Sequence, residues 1–290
     1  AYFWSQEAFT NPESIAISLE MFNHYQLQNN TFLKDLKMVD LWILKKLKLL
    51  PLLVKILNPV TQGIAIQKAN TYAYRHPDYF LSTAQLYHPK EFGDQQHIWQ
   101  ATLGKDISVF TTHPATAFFD DNSRNFSPSY WVGNGINPYG VQDKNIGLYY
   151  YDLKARKGFL EKKRQVFSHL YFPAAKFNQV IIKEDRLIGL AGKSLIGIVG
   201  LGPLERKTSD EWIQRGRDTA WGVVLSSLSE VNFEEFQDQI ANLSISLSRK
   251  EIQFKNLKII LKKKPEFQVD GKSVTINYPR YDLPFINTIN

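Results

Sequence analysis

The sequence predicts an α+β protein with a helical N-terminal segment, residues 1–62, followed by a mostly antiparallel β-sandwich of stacked sheets, residues 63–290. Apolar residues recur at helical spacing in the first part of the chain. After Gly63, β-branched and aromatic residues alternate with polar ones, which is the period of a β-strand. Many short strands then follow one another, separated by turn residues, and this order favours stacked antiparallel sheets over a wound α/β fold.

The helical segment is predicted from a helix start and from apolar spacing. Asn11 can cap a helix over residues 11–27 and Pro12 suits its first turn, while apolar side chains recur at helical spacing at Ile15, Leu19 and Phe22. The stretch LWILKKLKLLPLLVKIL (41–57) contains four lysines and a proline, which is too much charge for a membrane span. It is interpreted as a helix–proline–helix element packed on a core, and a basic helix lying on a membrane surface is the alternative.

A β-hairpin is predicted around residues 104–106, because HIWQATLG and ISVFTTH flank the sequence Gly-Lys-Asp. If the loop contains these three residues, paired positions sum to 210. Trp99 then faces Thr111, and His97 faces His113. A slip of one residue in the loop would destroy this pairing.

The strand pattern continues to the C-terminus with one interruption. A helix is predicted over 231–243, where Asn232 can cap the N-terminus and Glu235 follows three residues later. Asp270-Gly271 predicts a type I′ hairpin. The strands expected before this helix are IGLYYYDL (146–153), SHLYFP (168–173), NQVIIK (178–183), RLIGLAG (186–192), SLIGIVGL (194–201), DEWIQRG (210–216) and DTAWGVVLSSL (218–228).

Composition excludes several classes of function. The chain has no cysteine, which removes disulfides, thiolate catalysis and cysteine-ligated metals. Its net charge of +7 favours anionic partners, but the basic residues form no single stripe, so nucleic acid is not predicted as a partner. The segment ending in Gly192-Lys193-Ser194 lacks the first glycine and the following helix of a phosphate loop. The start of the chain shows no initiator Met and no signal peptide, so we expect a fragment, and the compartment stays open.

Histidines cluster between residues 76 and 113, where four of the six occur. His97 and Trp99 lie on one face of a predicted strand, and a polar histidine beside a tryptophan suits a carbohydrate cleft in which the ring stacks on sugar. The alternative is that His97 is a hydrogen-bonded structural histidine. His113, which precedes Pro114, is either a further substrate-binding residue or a turn residue.

No cofactor is predicted. A zinc ion held by His97 and His113 is a weaker hypothesis, since it would need a third ligand from Asp120, Asp121 or Asp143.

The segment YWVGNGINPYG (130–140) combines aromatic residues with a Gly-Asn-Gly turn. Its glycines permit positive φ angles, so a plain loop is one interpretation. In the other, Asn134 presents its amide to a cleft while Trp131 or Tyr139 contacts substrate.

The sequence resembles the C-terminal part of heparinase II/III-like polysaccharide lyases in the order of its segments. A helical segment is followed by TYAYRHPDYFLSTAQ, then by QQHIWQATLGKDISVFTTHP, and then by YWVGNGINPYGVQDKNIGLYYYD. The resemblance covers about residues 60–230 and implies that 1–62 is the end of an α/α toroid of helical hairpins. That family's histidine strand reads approximately His-x-His followed by an aspartate. Here the matching place is Gln95-Gln96-His97, so one histidine and the acid are absent, and His97 is the position carried over.

The resemblance implies β-elimination on an acidic, uronate-containing polysaccharide. His97 would act as base or as neutraliser of the sugar carboxylate, and Tyr72, Tyr74 or Tyr139 would be the proton carrier. The amides of Asn134 and Gln100 would donate hydrogen bonds, and Arg75 would bind the acidic sugar.

Two other classes stay open. A glycoside hydrolase needs two carboxylates across a cleft, for which Asp120, Asp121 and Asp143 are candidates. A non-catalytic carbohydrate-binding protein needs only aromatic side chains that stack on sugars, here Trp99, Trp131 and Tyr139.

Overall fold

The computed structural model describes residues 69–91, 97–104, 106–118, 130–131, 135–154 and 164–276. The chain divides into two units, Ala1–Gln67 and Lys68–Asn290, and every described residue lies in the second. The helices predicted for 11–27 and 41–57, together with the whole segment 1–62, fall outside the described residues.

The described residues form three antiparallel sheets, numbered here from the first strand onward. Sheet 1 has the strand order β1-β2-β3-β4-β7-β12-β11. Its strands are β1 Asn70–Arg75, β2 Tyr79–Gln85, β3 Trp99–Leu103, β4 Ile107–Thr112, β7 Phe167–Tyr171, β11 Glu205–Arg206 and β12 Glu211–Arg215.

Sheet 2 has the strand order β5-β6-β13-β10-β9-β8. Its strands are β5 Tyr139–Asp143, β6 Ile146–Asp152, β8 Gln179–Ile182, β9 Arg186–Ala191, β10 Ser194–Gly200 and β13 Asp218–Ser227. Every residue of β10 is buried, as expected for a strand covered on both faces.

Sheet 3 is a meander of five strands: β14 Ile245–Leu247, β15 Glu251–Phe254, β16 Leu257–Ile260, β17 Glu266–Val269 and β18 Lys272–Val274. One α-helix, α1 (Phe233–Ala241), precedes it in the described part of the chain. The side chain of Asn232 caps this helix by accepting from the backbone N–H of Glu235, which confirms the predicted start.

Two hydrophobic cores place sheet 2 in the middle of the second unit. The first core joins sheets 1 and 2 and includes Trp99 and Leu170 from one sheet and Trp221 from the other. The second covers the opposite face of sheet 2 with α1, through Phe236, and with sheet 3, through Phe254. Sheet 1 therefore buries one face against sheet 2, and its other face carries the polar side chains considered below.

The α+β fold class is wrong for the part of the chain that the structure describes. That part is a mostly antiparallel β protein of three stacked sheets with a single α-helix, and no toroid helix is found in it. The β-sandwich half of the prediction holds in the coarse sense that antiparallel sheets pack face to face. The helical half depended wholly on a segment outside the described residues.

Local strand and turn predictions are confirmed. Ala101 pairs with Val109 and Leu103 with Ile107, so paired positions sum to 210 as the hairpin prediction required. His97 and His113 lie outside β3 and β4, so the predicted pair between them is not part of this ladder. The second predicted hairpin also forms, because Asp270 and its neighbouring glycine both have positive φ, of 52° and 73°, between β17 and β18. Each of the seven strands expected between residues 146 and 228 is found within two residues at either end.

Candidate functional site

The face of sheet 1 that points away from sheet 2, here called the outer face, gathers polar and aromatic side chains into rows across the strands. Phe110, Tyr171 and Glu211 form one row over β4, β7 and β12. The next row contains Thr112, His169 and Ile213. Successive side chains of a strand alternate between faces, so the residues between these positions point into the first core.

The centre of the outer face is a buried pair, His169 on β7 and Glu211 on β12. The imidazole Nδ1 lies 3.0 Å from Glu211 Oε1, and Nε2 lies 2.5 Å from the hydroxyl of Thr112. Burial lowers the pKa of His169, so the ring is neutral at pH 7. Because a carboxylate can only accept, Nδ1–H donates to Glu211 and the Thr112 hydroxyl donates to Nε2.

Tyr130 and Lys207 complete the network around Glu211. The Tyr130 hydroxyl donates to Glu211 Oε1 and accepts from the Lys207 ammonium. Burial raises the pKa of the Glu211 carboxyl, but hydrogen bonds from His169 and Tyr130 outweigh it, and the net pKa lies below its ordinary value. Burial, then the bond to Glu211, raises the pKa of Tyr130, which keeps its proton and cannot serve as a base at neutral pH.

Aromatic rings connect this network to His97. Trp131 is half-buried and its indole stacks on the His169 imidazole at 4.0 Å between centroids, with only 5° between the planes. Phe110 lies 6.0 Å from Trp131, edge to face. On the other side of Phe110, the His97 ring stacks at 3.6 Å. The rings thus form a continuous hydrophobic surface beside the polar side chains.

His97 is held in place without being fully hydrogen-bonded. Its Nε2 is buried and has no hydrogen-bond partner among the described residues. Burial lowers the pKa of His97, although the nearby Gln100 side chain and the Trp131 backbone oppose this effect. A neutral imidazole with an unused nitrogen can accept a proton, which a fully bonded structural histidine cannot.

Gln100 and Arg75 also lie on the outer face. Gln100 is half-buried, and its Nε2 donates to the hydroxyls of Thr102 and Ser108 at 3.2 and 3.3 Å. Arg75 is exposed at the end of β1, the edge strand, in register with Phe80. Two strand spacings separate β1 from β3, about 10 Å, so a substrate of a few sugar units could contact both residues.

Two predicted substrate residues lie in the cores. Trp99 is 1% exposed, stacks on Tyr149 of sheet 2 at 4.6 Å and donates its indole N–H to Thr111. Tyr139 is 3% exposed and stacks on Tyr150 in the second core. Neither ring has a face available to a sugar. Trp99 lies on the face of β3 that packs against sheet 2. The alternation of residues along a strand does not show which of the two strand faces is covered.

His113 fastens the segment that follows residue 134. Its Nδ1 accepts from the backbone N–H of Ile136 and its Nε2 donates to the carbonyl of Gln165, each at 2.9 Å. Gly135 passes so close that a Cβ there would lie 1.5 Å from the His113 carbonyl oxygen. Both ring nitrogens of His113 are therefore in use, which does not fit a zinc ligand.

The remaining candidates divide between the two parts of the chain. Asn134, Asp120 and Asp121 lie outside the described residues. Asp143 accepts from Asn256, between sheets 2 and 3, and so lies in another layer from the outer face of sheet 1. In the described part of the chain, no three histidine, aspartate or glutamate side chains come together as a metal-binding group.

Sequence reasoning missed His169, Glu211 and Lys207 as members of the site. His169 was set aside as isolated, because the other histidines cluster before residue 114. One signal was present: alternation in FSHLY (167–171) puts His169 on the face opposite to Leu170. The pairing of β4 with β7 and of β7 with β12, which assembles the network, is long-range and leaves no local pattern.

Comparisons with protein families, with curated proteins and with solved structures found no match to this chain. Among the residues that the structure describes, no helix combines the length and the apolar character needed to cross a membrane.

Proposed function

We propose that this protein is a polysaccharide lyase that cleaves an acidic glycan by β-elimination on the outer face of sheet 1. The observation that carries the proposal is His97, whose ring is stacked on Phe110 while its buried Nε2 has no partner among the described residues. Because burial lowers its pKa, the imidazole is unprotonated at neutral pH, as a general base must be.

In the proposed reaction, glycan binding uncovers His97 Nε2, which is buried in this structure, and Nε2 takes the proton from the carbon that bears the uronate carboxylate. The electron pair forms a carbon–carbon double bond, the neighbouring glycosidic C–O bond breaks, and the leaving oxygen takes its proton from water. Gln100 donates to the developing negative charge, and Arg75 binds the sugar carboxylate. The resemblance to heparinase II/III-like lyases points to the same substrate class.

The His169 network supports the site without touching the reacting atoms. Glu211 fixes the tautomer and orientation of His169, and the imidazole supports the Trp131 ring in parallel contact. Trp131 packs in turn on Phe110, the ring that holds His97. His169 and Glu211 are therefore positioning residues, and Trp131 is the half-buried ring on which sugar would stack.

The test compares the wild-type protein with His97→Ala and His97→Gln on polygalacturonate, alginate and heparin. Product is followed by the ultraviolet absorbance of the new double bond. Removal of a general base lowers kcat by about a hundredfold or more, so both variants should lose product formation while their urea unfolding curves stay cooperative. His88→Asn is the matched control, since His88 has positive φ (43°), which asparagine tolerates, and its side chain hydrogen-bonds to nearby Glu91.

Three results would overturn the proposal. A His97→Ala variant with the wild-type rate would remove His97 from catalysis. Reducing ends without ultraviolet absorbance would indicate a hydrolase. Glycan binding without any product would indicate a binding module, for which the ring surface of Phe110, Trp131 and Tyr171 would be sufficient.

A further inference from the structure

Two loops at one end of sheet 3 bring five basic side chains together. Residues 248–250 join β14 to β15, and residues 261–265 join β16 to β17. The backbone N–H of Leu261 donates to the carbonyl of Lys250 at 2.6 Å, which fixes the loops side by side. We call these side chains the basic loops: Arg249, Lys250, Lys262, Lys263 and Lys264.

The positive charge of the basic loops is largely uncompensated. All five residues are exposed. Lys262 pairs with Glu266 at 2.8 Å, and the nearby Glu251 pairs with Lys258 at 3.2 Å. Within the described residues, the other four members form no ion pair with a carboxylate. Residues 245–276 contain eight basic and three acidic side chains, an excess of five positive charges, in a chain whose net charge is +7.

Beside the basic loops, the open face of sheet 3 presents a row of hydrogen-bonding side chains. One row of paired positions crosses all five strands and consists of Ser246, Gln253, Lys258, Gln268 and Ser273. Four spacings between neighbouring strands make this row about 19 Å long. The apolar positions of the same strands, including Phe254 and Phe267, point the other way into the second core.

We propose that the basic loops and this row form a second binding surface for an acidic polysaccharide. The loops supply the charge for carboxylate or sulfate groups, and the amides and hydroxyls of the row match a hydroxyl-rich polymer. In the described part of sheet 3, this face carries no aromatic side chain on which a nucleobase could stack, which disfavours single-stranded nucleic acid.

This proposal rests on the acidic-glycan substrate class proposed above, but it uses different residues and a different layer. Sheet 2 lies between sheet 3 and sheet 1, so the surface is remote from His97. Such a surface would hold one stretch of a long polymer while another stretch of the same polymer occupies the outer face of sheet 1. The outer face would then be occupied more often, because the bound polymer has a raised local concentration there.

The test measures binding of size-defined heparin and polygalacturonate by calorimetry over a series of NaCl concentrations. The variant is Arg249→Gln/Lys250→Gln/Lys263→Gln/Lys264→Gln. The control removes four exposed lysines that form no ion pair among the described residues: Lys183→Gln/Lys193→Gln/Lys255→Gln/Lys272→Gln. Both changes lower the net charge equally, so a difference between them reports position and not total charge.

We expect the loop variant to bind at least tenfold more weakly than the control. The slope of log Kd against log salt should also fall by about 3, the value for four ion contacts to a single-stranded polyanion. Equal affinity of the two variants would overturn the proposal, and so would tighter wild-type binding to single-stranded DNA than to either glycan.

The result separates this proposal from the proposed function. Loss of glycan binding in the loop variant alone, in a protein that forms no unsaturated product, would support the binding surface and reject the lyase. If the wild-type protein forms unsaturated product and both variants bind glycan equally well, the lyase would be supported and the binding surface rejected. The His97→Ala variant should keep the affinity of the basic loops, because the two sites share no residue.

Discussion

Glu211→Ala should be among the most destabilising single substitutions on the outer face of sheet 1. The carboxylate is 3% exposed and its Oε1 accepts from both Tyr130 and His169 Nδ1. Alanine removes the acceptor and leaves a buried imidazole N–H and a phenol without their partner. His169 is fully buried, so water cannot readily replace the lost carboxylate.

The magnitude follows from the two hydrogen bonds. A hydrogen bond to a charged group contributes about 1.5–3 kcal/mol, and the Glu211 carboxylate accepts two such bonds. We therefore expect Glu211→Ala to lower the free energy of unfolding by about 4 kcal/mol. For a unit of this size the Tm should fall by roughly 10 °C.

Urea unfolding followed by tryptophan fluorescence measures this loss, and Trp131, stacked on His169, reports the local change. The matched control is Glu205→Ala, which removes an ion pair to Arg215 whose partners are 53% and 63% exposed. An exposed pair of this kind contributes at most about 1 kcal/mol. If Glu211→Ala lost less than about 1 kcal/mol, or no more than Glu205→Ala, the network around Glu211 would not hold the site together.

Two further predictions concern stability. Burial lowers the pKa of His169, so the contribution of this residue to the free energy of unfolding is complete above the unfolded pKa of about 6.5 and is lost as the pH falls toward the folded value. Urea unfolding at a series of pH values should show this decline in stability. The decline should be smaller in His169→Phe. Gly197→Ala would put a Cβ 2.4 Å from Ile240 Cδ1 between β10 and α1 and should cost about 1–3 kcal/mol, whereas Gly202→Ala, with open space around it, should leave the Tm nearly unchanged.

Local patterns in the sequence determined the strands, two hairpins and the start of α1. The loop at residues 104–106 and the Asp270-Gly271 turn are specified by residues next to each other, because loop length and positive φ fix the register of the strands that they join. These features depend on interactions within about ten residues. The predicted face of His97 is wrong, because alternation put it on the face of Trp99, whereas its ring stacks on the outer Phe110.

Only the tertiary structure decided which strand faces are covered and which distant strands meet. Trp99 and His97 are two residues apart, yet sheet 2 covers Trp99 while His97 stacks on the outer Phe110. His169 and Glu211 come together because β7 pairs with β12, across a separation of 42 residues. The periodicity of a strand shows that its two faces differ, but the identity of the layer on each face is set by long-range packing, which no local pattern encodes.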